Sequence, residues 1–204
     1  MNSVKKYIAE FIGTMVLVVL GCGTAMLVGC DAKNGGGYIL TALAFGLVIV
    51  GMAYCVGNIS GCHINPAVSL GVLLSGGMSA VDFIAYIISQ CLGAFAGAGV
   101  LAAIFGLGGV TDQTGGFGSN GLAGVNGSVV AGLIVECFLT FVFVLTILGV
   151  TSKKAGHGSF GPALVAMMNG NAEPMGALWV FIVGPFVGAA LAAGVYRFLE
   201  GKKA

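Results

Sequence analysis

Asn65, followed by Pro66, is the side chain best suited to handle a small uncharged molecule, because its amide offers hydrogen-bond donors and an acceptor without carrying charge. Pro fits the first turn of a helix and Asn fits the N-cap before it, so the pair reads as the start of a helix at Pro66. A helix starting there aims its unpaired N–H groups and positive dipole end at whatever precedes it. The preceding residues Gly61, Cys62, His63 and Ile64 read as an extended approach whose carbonyls can turn one way as acceptors. Water or a hydroxyl compound would then meet acceptors along one wall and donors at Asn65. A positive helix end repels cations, hydronium included, which is one way for a pore to exclude protons.

Other reactive side chains are few. His63 is a possible ligand or base, but no His, Cys or carboxylate stands at metal-ligand spacing from it, and an imidazole bracing its loop is the stronger reading. No metal or other cofactor is expected. Cys62 is either a thiol facing a path, where thiol reagents would block it, or an inert packing residue. The six cysteines lie scattered in or beside apolar runs with no CxxC pair, which reads as packing. Glu10 and Glu136 each stand alone among apolar residues. A catalytic or proton-relay role for either competes with a structural one, a carboxylate accepting hydrogen bonds from a loop that enters the membrane; the structural role is favoured. With Asp82 and His63 these groups form no catalytic constellation, so neither an enzyme nor an ion-coupled transporter is expected.

The elements that must position these residues can be read from composition. Charged residues are 7% and hydrophobic residues 58% of 204, with mean hydropathy +1.06, too few charges to cover a soluble surface. The bilayer must be the solvent for most of the chain. The net charge of +1 gives no reason to expect nucleic acid as a partner. The 37 glycines suit helices that approach closely inside a membrane. The short basic start, Met1–Lys6, leads into an apolar run with Glu10 inside it and no cleavage site, which reads as a first span rather than a signal peptide.

Apolar stretches of spanning length run from Phe11 to Cys30, Gly35 to Ile59 with a break near Gly57, Phe83 to Thr111, about Val129 to Thr151, and Pro174 to Tyr196. These predict five spans. Gly61–Gly77 is too short to cross and reads as a re-entrant loop and half-helix, tolerated in a membrane where protein buries it or it lines a wet path. A loop rich in Gly, Asn, Ser and Thr, Gly106–Ser128, divides the chain into a first repeat of about 1–110 and a second of about 125–204. Ala9–Thr14 is echoed by Val135–Thr140, and Glu10 lies 126 residues before Glu136 (136 less 10). Internal repeats of opposite orientation are a recurring plan for channels and transporters, with the functional site where they meet.

Gly57–Gly71, containing Asn65-Pro66-Ala67, resembles the first signature loop of the aquaporin, or major intrinsic protein, family. Ala9–Thr14 with Gly21-Cys22-Gly23 resembles the family's first helix, Ala42–Leu47 its second and Trp179–Leu199 its sixth. Gly116–Gly121 is similar to the outer loop of the bacterial water-channel branch. The resemblance implies an all-α integral membrane protein, an inverted-repeat helical bundle with a re-entrant half-helix, in the cell membrane. It implies a passive channel for water and for small neutral solutes such as glycerol, assembled as a homotetramer with one pore per subunit. Carried over, the pore positions fall on Gly61, Cys62, His63, Ile64, Asn65, Pro66 and Ala67, and Phe45 matches the aromatic of the outer constriction.

The second half departs from the family. Ser159–Leu164 resembles the residues directly after a second Asn-Pro-Ala motif, but neither that motif nor the Arg beyond it is present. Ser159 lies 90 residues beyond its counterpart Ser69 (159 less 69), which leaves the second repeat 36 residues short of the 126-residue offset, with the loss between Lys154 and Ser159. The fifth span of the family plan is therefore expected to be missing. Lys5, Lys6, Lys153, Lys154, Arg197, Lys202 and Lys203 would all face the cytoplasm in a six-span parent, whereas five spans put the termini on opposite sides. A non-conducting, aquaporin-derived subunit is the alternative reading.

Overall fold

In a hydrocarbon solvent each backbone N–H and C=O must find its partner within the protein, and a helix meets that demand within one segment. The computed structural model, which describes residues 3–30, 36–151 and 180–200, is all helix and loop among those residues. The first helix, α1, runs Ser3–Val28 and contains a π-helical turn at Val18–Cys22. Then come α2 (Gly36–Ser60), the short α3 (Pro66–Leu74), α4 (Ala80–Gly108), α5 (Val129–Val150) and α6 (Val180–Glu200). The helices α1, α2, α4 and α5 are long and apolar enough to cross a bilayer. By contrast, the nine residues of α3 reach about 13 Å, less than half of a hydrocarbon core of about 30 Å.

Three boundaries differ from the sequence expectation. The first helix begins at Ser3 rather than Phe11, because Lys5 and Lys6 can sit on its opening turns with their ammonium groups in water. Gly57 does not break α2; the Gly61 N–H donates to the Gly57 carbonyl at 3.0 Å, so the helical ladder continues through it to Ser60. Gly61–Ile64 is not a plain extended stretch either. Gly61, Cys62 and Ile64 take left-handed φ values of 88°, 52° and 41°. The expected span Pro174–Tyr196 is helical from Val180, and its first residues lie outside those described, as do Lys153, Lys154 and Ser159–Leu164.

Two helix pairs form the frame: α1 lies along α4 and also touches α2, while α5 lies along α6. Glycine sets both close approaches. A methyl group at Gly93 of α4 would collide with the Phe11 carbonyl of α1, and one at Gly188 of α6 with the Cys137 carbonyl of α5. Phe11 and Cys137 are again 126 residues apart (137 less 11), so both halves make the same contact at the same register. The half-helix α3 is seated where the pairs meet. Its Ala67 and Val68 pack with Val144 and Leu148 of α5 and with Ala189, Ala192 and Ala193 of α6. Outward faces carry exposed Ile8, Ile12, Leu43, Leu47, Ile88 and Phe138, as a lipid-facing surface requires.

Candidate functional site

The site is built on the chain reversal between α2 and α3. Asn65 caps α3 in an extended conformation (φ −156°, ψ 129°), and its side-chain oxygen accepts from Ala67 N–H at 2.7 Å and Val68 N–H at 3.3 Å. That use of the oxygen turns the Nδ2 donors away from the helix, and among the described residues no acceptor takes them. The Asn65 carbonyl starts the helix, accepting from Ser69 N–H at 3.1 Å.

The approach to Asn65 has its N–H groups tied down on one side. Cys62 N–H donates to Ser60 Oγ at 3.0 Å, His63 N–H to Glu10 Oε1 at 2.9 Å and Ile64 N–H to Glu10 Oε2 at 2.6 Å. Among the described residues, no hydrogen bond is accepted by the carbonyls of Gly61, Cys62, His63 or Ile64. The left-handed φ values at Cys62 and Ile64 are unfavourable for residues with a Cβ. They persist because a single buried carboxylate holds the two adjacent amides.

Glu10, with no exposed surface, accepts two more bonds, from Ser60 Oγ at 2.6 Å and Gln90 Nε2 at 2.7 Å. Four donors therefore converge on one charge, which is how a carboxylate becomes tolerable in an apolar interior. His63 is buried, its Nδ1 is 3.1 Å from Ser69 Oγ, and its ring lies edge-on to Tyr86 with centroids 5.0 Å apart. The Tyr86 hydroxyl donates to the Ser60 carbonyl at 2.7 Å, anchoring the end of α2 to α4. A polar cavity of about 250 Å³ opens in front of this loop, lined by Lys6, Asn58, Gly61, His63, Asp82 and Tyr86. At its rim Tyr7 donates to Asp82 at 2.8 Å and Lys6 lies 3.9 Å from the same carboxylate.

The remaining sequence candidates are spread over the loop, α2 and α5. Cys62 is half-buried on the loop. Phe45 is half-buried on α2, and its ring lies over Gly21 in the π-helical turn of α1, where a Cβ would come within 2.5 Å of it. Glu136 is buried on α5, and no hydrogen bond reaches its carboxylate among the described residues. The segment that would supply a second re-entrant loop lies outside them. Among the described residues, no group of three or more His, Cys, Asp or Glu could hold a metal. Sequence reasoning missed Ser60, Ser69, Tyr86 and Gln90, all of which grip the loop. A signal existed for Gln90, the single amide side chain within the apolar run Phe83–Thr111.

Comparison with known proteins matches this geometry to a family. The major intrinsic protein family model matches residues 1–158. Aquaporin Z of Brucella melitensis biotype 1 is 38% identical over 226 aligned positions, covering 97% of this chain and 99% of that protein. Aquaporin Z of Rhodopseudomonas palustris is 36% identical, covering 96% and 93%. The X-ray structure of the aquaglyceroporin from Plasmodium falciparum superposes with a TM-score of 0.75 at 21% identity, covering 96% of both chains, and so shares the fold. The Brucella melitensis alignment is longer than this chain's 204 residues, so it bridges residues that the relative has and this chain lacks. The family match ends at residue 158, inside the interval where the repeat offset places that loss. This chain belongs to the major intrinsic protein family.

Proposed function

We infer that this chain is a passive channel for water, and for small neutral solutes of glycerol size, in a multi-pass membrane protein. The observation that carries the reading is the Asn65 loop: carbonyls from Gly61 to Ile64, unpaired among the described residues, lead to Asn65 donors that no described acceptor takes, at the positive end of α3. A water molecule exchanges bulk partners for carbonyl acceptors, then turns its oxygen to Asn65. Pro66 and Ala67 open α3, and Phe45 forms one side of a constriction nearer the other end of α1 and α2. Glu10 supports the loop without meeting the solute, and His63 braces it through Ser69. Glu136 is the corresponding carboxylate of a shorter second repeat. No proton donor–acceptor chain or nucleophile–base pair is needed, because a passive channel lowers a barrier by replacing hydration and transfers no group. Assembly as a homotetramer with one path per subunit is part of the same reading.

A second reading is favoured by the gap in the alignment with Aquaporin Z: a subunit whose path is incomplete and does not conduct. Stopped-flow shrinkage of proteoliposomes holding the purified chain separates the two. The channel reading expects osmotic water permeability above that of empty vesicles, with a low activation energy. Permeability equal to empty vesicles at matched protein density would leave the non-conducting subunit.

A further inference from the structure

We propose that Gln90 is a positioning residue that sets the register of the Asn65 loop, and that the clamp on this loop is complete within the first half of the chain. The proposal rests on the channel reading for its effect on permeability and on geometry alone for its effect on the loop. Gln90 sits on α4, 1% exposed, and its Nε2 donates both to Glu10 Oε2 at 2.7 Å and to Ser69 Oγ at 3.0 Å. One amide thus joins α1, which carries the carboxylate, to α3, which carries the cap. Turned over, the amide would point its oxygen at a carboxylate, so chemistry selects the orientation with the nitrogen inward. Among the described residues the buried amide oxygen has no hydrogen-bond partner. A buried polar atom is ordinarily satisfied; here both donors are committed to the loop while the acceptor goes unused.

Ser69 carries the same grip to the cap of α3. Its hydroxyl lies 3.2 Å from the Asn65 carbonyl, to which it donates, and within reach of Gln90 Nε2 and His63 Nδ1. With its one proton given to Asn65, the oxygen accepts from both Gln90 and His63, which places the His63 proton on Nδ1. Gln90 thereby governs both ends of the loop, through Glu10 at His63 and Ile64 and through Ser69 at Asn65. All of these groups lie between residues 10 and 90. The second half supplies α3 with the apolar seat of Val144 and Ala189 instead. The shared glycine register pairs Gly93 with Gly188, so the position matching Gln90 is Pro185, which has no side-chain donor.

The test uses the full chain and three proteins: wild type, Gln90→Leu and Gln90→Glu. A Glu at this position donates one hydrogen bond when protonated; ionised, it faces the Glu10 carboxylate. The groups around it are Glu10 of α1, His63 of the loop, Ser69 of α3 and Tyr86 of its own helix. For Gln90→Leu, amide exchange in peptides spanning residues 58–68 should rise by about tenfold or more, as expected for losing a hydrogen bond to a charged group, while α5 and α6 peptides stay protected. Water permeability per chain should fall with it. For Gln90→Glu, permeability relative to wild type should be higher at pH 5 than at pH 8, a dependence that loss of packing alone would not create. Unchanged loop exchange in Gln90→Leu overturns the proposal, as does a uniform loss of protection throughout the chain or a Gln90→Glu variant that tracks the wild-type pH profile. If wild type itself does not conduct, the channel reading fails and loop exchange alone decides the role of Gln90.

Discussion

One buried carboxylate takes up two adjacent amides of the Asn65 loop. Glu10 accepts four hydrogen bonds at 2.6–2.9 Å, two of them from the adjacent amides of His63 and Ile64. Glu10→Gln keeps the volume but replaces one acceptor oxygen by an amide that meets donors. Each hydrogen bond to a charged buried group contributes about 1.5–3 kcal/mol. The loop should therefore lose at least about 2 kcal/mol of local stability, seen as faster amide exchange at His63 and Ile64 and lower water permeability. Gly21 offers a smaller and opposite test. The three atoms nearest a Cβ there all belong to the Phe45 ring, so Gly21→Ala should swing the ring rather than part the helices. The expected outcome is a changed ratio of water to glycerol permeability with a melting temperature close to wild type.

At the scale of elements, the packing of α1 on α4 and of α5 on α6 depends on glycines that meet backbone rather than side chain. Gly93→Ala and Gly188→Ala each force a methyl group against a carbonyl, of Phe11 and of Cys137 respectively. No side chain can rotate out of the way, so each should cost about 1–3 kcal/mol or more, read as a lower midpoint in thermal unfolding in detergent. The loop after α4 is held by charge instead. Asp112 accepts from Thr114 N–H at 2.9 Å, Thr114 Oγ1 at 2.7 Å and Phe117 N–H at 2.8 Å. Burial pushes its carboxyl pKa up, but the Thr114 hydroxyl and the backbone amides of Phe117, Thr114 and Gly116 together hold it below the ordinary carboxylate value. A depressed folded value means the stabilisation is complete above the unfolded pKa of about 4 and is lost as pH falls through the folded one. Amide exchange at Thr114–Gly118 should therefore accelerate below about pH 4, and Asp112→Asn should show the faster rate at neutral pH.

For the whole molecule, the central question is how the residues missing relative to Aquaporin Z bear on conduction. Grafting the Brucella melitensis segment between Lys154 and Ser159, where the repeat offset places the loss, should raise water permeability per chain if the second wall limits flow. Equal permeability before and after the graft would mean that the clamp built from residues 10 to 90 suffices. Oligomeric state belongs to this scale too. Native mass spectrometry in detergent should return a four-chain mass; a monomer there would count against the tetramer.

Several features were legible before any fold was known. The membrane solvent is dictated by 7% charged residues, and the spans by their apolar length. The half-helix is dictated by Asn65-Pro66, since capping and the missing proline N–H are local chemistry. The echo of Glu10 in Glu136 was also local, a matter of spacing. Tertiary structure alone decided that Gly61, Cys62 and Ile64 are left-handed rather than extended, because the loop's His63 and Ile64 amides are held by a carboxylate 53 and 54 residues earlier in the chain. It alone brought Gln90 to Glu10 across 80 residues and to Ser69 across 21. A sequence reports what a residue can donate, accept or bury within its own few turns. Which distant group takes the bond depends on how closely the helices approach, and for Gln90 and Glu10 that approach is permitted by Gly93 against the Phe11 carbonyl.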